Sequence, residues 1–143
     1  MTPQDRAERA ARVMWDDDPA SQGLGMSLDQ IAPGRAEMSM TVRDEMSNGH
    51  GICHGGFIFT LADSAFAFAC NSYNTRVVAQ HNSITYLAPA KLGETLVAQA
   101  TEVSRAGRSG IYDVVVTGTD RRVIAQFRGH SRQISGTHFE DDS

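Results

Sequence analysis

The sequence predicts an α+β fold in which one antiparallel β-sheet wraps around one long central helix. Three observations carry this expectation. The run Phe57–Cys70 contains neither glycine nor proline and is rich in alanine, so it reads as a helix of four or more turns. Apolar residues surround that helix, which therefore has to be covered on most sides. The segments after it are rich in Val, Ile, Thr and Tyr and are separated by turn signals, the pattern of half-buried strands. A sheet curled around the helix satisfies all three.

The elements follow in order. Residues 3–15 form a first helix, with Ala7, Ala10, Ala11 and Met14 at helical spacing. Asp16-Asp17-Asp18-Pro19 ends it, because proline disfavours helical geometry in the residue before it. The acidic triplet beside a proline is read as a solvated loop rather than a metal site. Leu24 to Ser27 begins a first strand, and Pro33-Gly34 turns the chain into Arg35–Val42, where polar and apolar positions roughly alternate. Arg43–Ser47 leads into a glycine-rich loop and then the long helix. Thr75–Leu87 is the next strand, closed by Pro89, and Lys91-Leu92-Gly93-Glu94 is a turn. Thr95–Val103 alternates like a half-buried strand, and Ser104–Gly110 is a basic hairpin loop. Ile111–Thr119 is another strand, Thr119-Asp120-Arg121 a turn, and Arg122–Ser131 the last strand. The strands after the helix are expected to run as a meander. The domain plan is a helical segment 1–23, one domain 24–136 and a mobile tail 137–143.

At 143 residues the chain is long enough for one domain with its own core. With 41% hydrophobic and 21% charged residues the composition is that of an ordered globular protein. Seventeen acidic against 13 basic residues leave no electrostatic footprint for nucleic acid. Two cysteines and a first segment without an apolar core suggest a reducing cytoplasm. Phe57–Cys70 is interrupted by Asp63 and too short to span a bilayer, so no membrane partner is expected.

Chemistry concentrates where Asn48-Gly49-His50-Gly51-Ile52-Cys53-His54-Gly55-Gly56 opens into the helix. Asp63 is a lone carboxylate on an otherwise apolar helix, and burying an unpaired charge is costly. It is either a structural aspartate that caps a loop or faces solvent, or a chemical group. The helix start beside it favours chemistry, since the free N–H groups of a helix N-terminus attract negative charge. A buried carboxylate and an oxyanion-binding N–H are two parts of an acyl-transfer site, with Asp63 as base or nucleophile and the Gly55 N–H as donor. Gly56 is read as allowing close packing. Gly55 and Asp63 are eight residues apart, roughly 12 Å along one helix, so one copy cannot hold both roles at one site. Two antiparallel copies could, which implies a dimer with two shared sites.

Other residue types in the region carry weaker signals. His50 and His54 form H-x-x-x-H, but Gly49 and Gly51 argue against a helix there, so no metal is expected. His54 instead anchors the loop or borders the carbonyl pocket. Cys53 and Cys70 read as small inert hydrophobes. Arg105 and Arg108, with Lys91, are candidates for binding phosphate groups at the mouth of the site.

Asn48, His54-Gly55-Gly56, Leu61–Ala67, Ala69–Ser72, Tyr86-Leu87 with Pro89, Gly93–Leu96, Gly110–Asp113 and Phe127-Arg128-Gly129 together resemble the hotdog-fold acyl-CoA thioesterases. Within these, the thioesterases of phenylacetate catabolism are the most similar, and the resemblance spans roughly residues 24–136 in order. It implies the hotdog fold, a catalytic carboxylate at Asp63, an amide at Asn48 that orients water or substrate, and a dimer or a tetramer of two dimers. It also implies an aromatic acyl group of the hydroxyphenylacetyl type, with coenzyme A as part of the substrate and no separate cofactor. The hydroxyl that some family members use to hold water has no clear counterpart: one turn after Asp63 stands Ala67, leaving Ser64, Ser83 and Thr85. Two rival functions are a hotdog hydratase or dehydratase, which would want an Asp–His pair not evident on this helix, and a non-catalytic acyl-CoA-binding module.

Overall fold

The computed structural model describes residues 1–142. Helix α1 covers Pro3–Asp16. Thr2 caps it reciprocally with Asp5, and Ala7, Ala10 and Ala11 face inward. Asp18 then caps a short helix, α2 (Pro19–Gly23), through the Ser21 N–H at 3.0 Å. The acidic triplet, expected to be a solvated loop, is thus partly a helix cap, with Asp18 at the cap and Pro19 at the first helical position. Strands β1 (Ser27–Ala32) and β2 (Arg35–Thr41) form a hairpin about Pro33-Gly34, with Ala32 paired to Arg35. Helix α3 runs Gly55–Cys70, and β3 (Val77–Tyr86), β4 (Thr95–Ala106), β5 (Ser109–Thr117) and β6 (Val123–Gln133) complete the molecule.

All six strands lie in one antiparallel sheet of order β1-β2-β4-β5-β6-β3. This corrects the meander: β4, β5 and β6 are successive neighbours, but β3 pairs with β6 at the sheet edge, and β4 pairs with β2. Alternation fixes which face a strand buries; it does not choose the strand's neighbour. The β4–β5 hairpin is also longer than expected. Its strands continue to Ala106 and resume at Ser109, past a bulge between Glu102 and Ser104. These outer residues are exposed on both faces, so they carry no alternation by which to read them.

The sheet closes on α3. Met38 and Met40 of β2, Leu96 and Ala98 of β4, Val114 and Val116 of β5, and Ile124 and Phe127 of β6 pack with Ile58, Leu61, Ala65, Phe66 and Phe68 of the helix. Burying each larger side chain contributes about 1.5–3 kcal/mol. Asn71 ends the helix and fixes its exit: its Nδ2 donates to the Ala67 and Val77 carbonyls, and its Oδ1 accepts the Val77 N–H at 2.9 Å. Residues 137–142 of the expected tail make specific contacts. Asn74 Oδ1 accepts the His138 and Phe139 N–H groups, Arg9 stacks on Phe139, and Arg6 pairs with Asp141. Ser143 lies outside the described residues. No helix among the described residues is long and apolar enough to cross a membrane.

Candidate active site

The loop before α3 is pinned at both ends. The Cys53 N–H donates to the Ala90 carbonyl and the His54 N–H to the Met46 carbonyl, each at 2.7 Å. Between them, Asn48 Oδ1 accepts the His50 N–H at 3.1 Å, and Gly49 and Gly51 take φ of +89° and +75°, values that favour glycine. Asn48 is exposed at this turn, not beside Asp63 of the same chain. His50 lies in the bend and His54 at the helix cap, so the two rings do not share a helical face.

His54 Nδ1 accepts the Gly56 N–H at 3.0 Å, so that nitrogen carries no proton. The His54 carbonyl accepts the Phe57 N–H. With both following donors engaged, the Gly55 N–H is left without a partner among the described residues. Its carbonyl accepts the Tyr86 hydroxyl at 2.9 Å. A Cβ on Gly55 would lie 2.9 Å from the Tyr86 ring, whereas one on Gly56 would meet only the His54 ring, 3.3 Å from its Nδ1. Close packing, assigned to Gly56 from the sequence, is therefore the work of Gly55. Tyr86, which enters the family resemblance without a role of its own, closes over the helix start from β3.

Asp63 sits midway along α3, half-buried, on the face that also carries Gly56, Thr60 and Ala67. Burial raises its pKa above the ordinary carboxylate value, and a hydrogen bond from Asn82 Nδ2 to Asp63 Oδ1 at 3.2 Å partly offsets this. Asn82 is the second residue missed from the sequence. Its signal was a polar side chain at an inward position of β3, beside half-buried Ile84 and between the exposed His81, Ser83 and Thr85. Ser83 and Thr85 thus stand on the outer side. Ser64 Oγ is bonded to Ser21 Oγ at 2.9 Å, and Ser21 to Asp18, so it anchors α2 to α3.

The thiols are suited to packing, not attack. Cys53 is buried and its pKa is raised by burial; burial pushes Cys70 up to about 12. Arg105 stacks on Tyr73, 3.7 Å from the ring centroid, just beyond the C-terminus of α3. Arg108 is exposed in the adjoining β4–β5 turn. Both lie at the opposite end of the helix from Gly55. Lys91 is at the loop end, where its N–H donates to Glu94 and its backbone forms an isolated antiparallel bridge with Ile52.

A half-buried carboxylate, an open N–H at a helix start and an apolar helix face suit acyl transfer. The thioesterase superfamily model matches residues 50–125, the stretch that holds the loop, α3 and most of the sheet. The acyl-coenzyme A thioesterase PaaI of Escherichia coli is 39% identical over 132 residues, covering 92% of this chain and 94% of that protein. Human acyl-coenzyme A thioesterase 13 is 33% identical over 112 residues, covering 76% of this chain and 79% of its own length. The solved structure of the E. coli PaaI protein superposes with a TM-score of 0.93 at 38% identity, covering 95% of this chain and 99% of that one. With the hotdog sheet and central helix in place, the chain belongs to the thioesterase superfamily and is an acyl-CoA thioesterase.

Proposed function

We propose that this enzyme hydrolyses a coenzyme A thioester of an aromatic acid, of the hydroxyphenylacetyl type, at two sites shared by two antiparallel copies of the chain. The observation that carries the reading is the separation of Asp63 from the unpartnered Gly55 N–H, about 12 Å along one helix. Two helices crossing near Phe59 would set Asp63 of one copy against Gly55 of the other. The sheet supports such pairing, since β3 is an edge strand with exposed Val78 and Tyr86.

At each site Asp63 acts as general base on water, and the Gly55 N–H of the other copy receives the charge that develops on the carbonyl oxygen. His54 keeps Gly55 in place by engaging the next N–H, and Asn48 reaches the substrate from the loop. In the same antiparallel arrangement the C-terminal end of one α3 approaches the other copy's loop. That would bring Arg105 and Arg108 to the mouth of the site as partners for the coenzyme A phosphates. The aromatic preference draws on the E. coli relative, which comes from a phenylacetic acid degradation operon, and on the half-buried Phe57 and Phe59 of α3. The buried free thiols suit a reducing cytoplasm, and dimers pair further into tetramers in the manner the family resemblance implies.

Release of free thiol across a panel of acyl-CoA thioesters, for wild type and Asp63→Asn, tests this. Aromatic substrates should turn over faster than long linear ones, and the substitution should lower kcat by about 100-fold or more. A folded Asp63→Asn enzyme within a few-fold of wild type would end the role of this carboxylate, and an active monomer in sedimentation would end the shared site.

A further inference from the structure

Asn82 has one polar end engaged and one idle. It lies on the inward side of β3, opposite Gly129 of β6, and its Nδ2 donates to Asp63 Oδ1 at 3.2 Å. An ionised carboxylate only accepts, so this bond fixes which end of the amide faces Asp63. The other end, Oδ1, is buried and has no partner among the described residues. Leaving such an oxygen unmet costs about 1–3 kcal/mol, which an apolar side chain at this strand position would avoid. The hydroxyls near Asp63 in the sequence are otherwise engaged or turned away: Thr60, on the same helix face, donates to the Gly56 carbonyl, Ser64 is bonded to Ser21, and Ser83 and Thr85 are exposed.

We propose that Asn82 is the positioning residue for the attacking water: Nδ2 holds one oxygen of Asp63, while Oδ1 accepts one hydrogen of the water whose other hydrogen points to Asp63 Oδ2. This rests on Asp63 acting as the general base. As the water oxygen bonds to the thioester carbon, its proton passes to Asp63 and the carbonyl electron pair moves onto oxygen. The carbonyl then re-forms, the carbon–sulfur bond breaks, and the proton on Asp63 goes to the departing sulfur, giving a free acid and a free thiol. Asn82 neither gains nor loses a proton. Its contribution is direction, because a water held at both hydrogens presents its lone pair along one line.

The test uses the assembled enzyme with Asn82→Leu, Asn82→Ala and Asn82→Ser, beside Asp63→Asn, in the thiol-release assay with the best panel substrate. Leucine keeps the branch at Cγ and removes both polar ends, at the cost of some added bulk; serine restores a small donor and acceptor. Leucine and alanine should lower kcat roughly 10- to 100-fold with KM changed by no more than about 2-fold, and serine should recover part of the loss. Leucine leaves no cavity, so it decides the matter if the alanine variant does not fold. A folded Asn82→Leu enzyme with kcat within about 2-fold of wild type would overturn the role of Asn82, as would a loss carried entirely by KM. If that result comes with an inactive Asp63→Asn enzyme, only Asn82 is misassigned; if Asp63→Asn also turns over normally, the general-base reading itself is gone.

Discussion

Gly129 offers a stringent test of how the sheet holds the central helix. It lies on β6, opposite Asn82 of β3 and Tyr112 of β5. A Cβ at this position would stand 2.7 Å from Phe66 Cε1 and 2.8 Å from its Cδ1 and Cζ. Non-bonded carbons prefer about 3.5–4.0 Å, so the ring would have to retreat by about 1 Å. It has little room to do so. Phe66 is 1% exposed and is packed against Tyr112 and Phe127, with ring centroids 5.7 and 5.8 Å away. Gly129→Ala should therefore lift α3 from the sheet, at a cost of about 1–3 kcal/mol. For a chain of this size that lowers Tm by roughly 3–10 °C. Phe66 is one turn from Asp63, so kcat should fall as Asp63 moves relative to Asn82. Thermal melts and turnover of Gly129→Ala and of the Gly129→Ala/Phe66→Leu double variant check this. Leucine vacates the ring volume, so the double variant should recover stability, with an interaction of about 1 kcal/mol or more. A single variant melting within about 1 °C of wild type, or a pair whose losses merely add, would refute the packing argument.

Two further outcomes follow from ionisation. Burial raises the pKa of Asp63 above its ordinary value, so the folded protein holds that proton more tightly than the unfolded chain, and stability falls as pH rises through this window. Asp63→Asn should accordingly melt above wild type at neutral pH and converge with it in acid, while the acid limb of wild-type kcat/KM should lie above the usual carboxylate range; equal melting throughout would contradict the burial cost. Glu94 has the opposite sign. Burial pushes it up, but the N–H donors of Lys91 and Thr119 and the Arg122 guanidinium outweigh burial and hold it at about 2. Its contribution is present above 4.5 and is lost as pH falls toward about 2. Glu94→Gln should cost roughly 2 kcal/mol at neutral pH in urea unfolding, with the gap closing across that acid range; a gap independent of pH would show that the charge is not what matters.

How much of this was legible beforehand depends on the range of the interaction. Helix α3 was clear because composition and the absence of breakers act locally, and its apolar circumference already required a sheet around it. Asp63 stood out for the same reason, as a charge that such a helix cannot bury freely. The eight-residue step from Gly55 to Asp63 is likewise a property of helix geometry, and its implication of a second copy needed no coordinates.

What the sequence could not decide were the partners brought together from far along the chain. The pairing of β3 with β6 determines that Asn82 meets Asp63, 19 residues away, and that Gly129 makes room for Phe66. Composition marks 75–87 as a strand but not what it would touch, so Ser64, Ser83 and Thr85 stood as the candidates and Asn82 was passed over. Tyr86 crossing Gly55 is of the same kind, and so is the stacking of Arg105 on Tyr73. Local chemistry is written residue by residue, whereas contacts between elements depend on register and neighbour order, which only the folded chain determines.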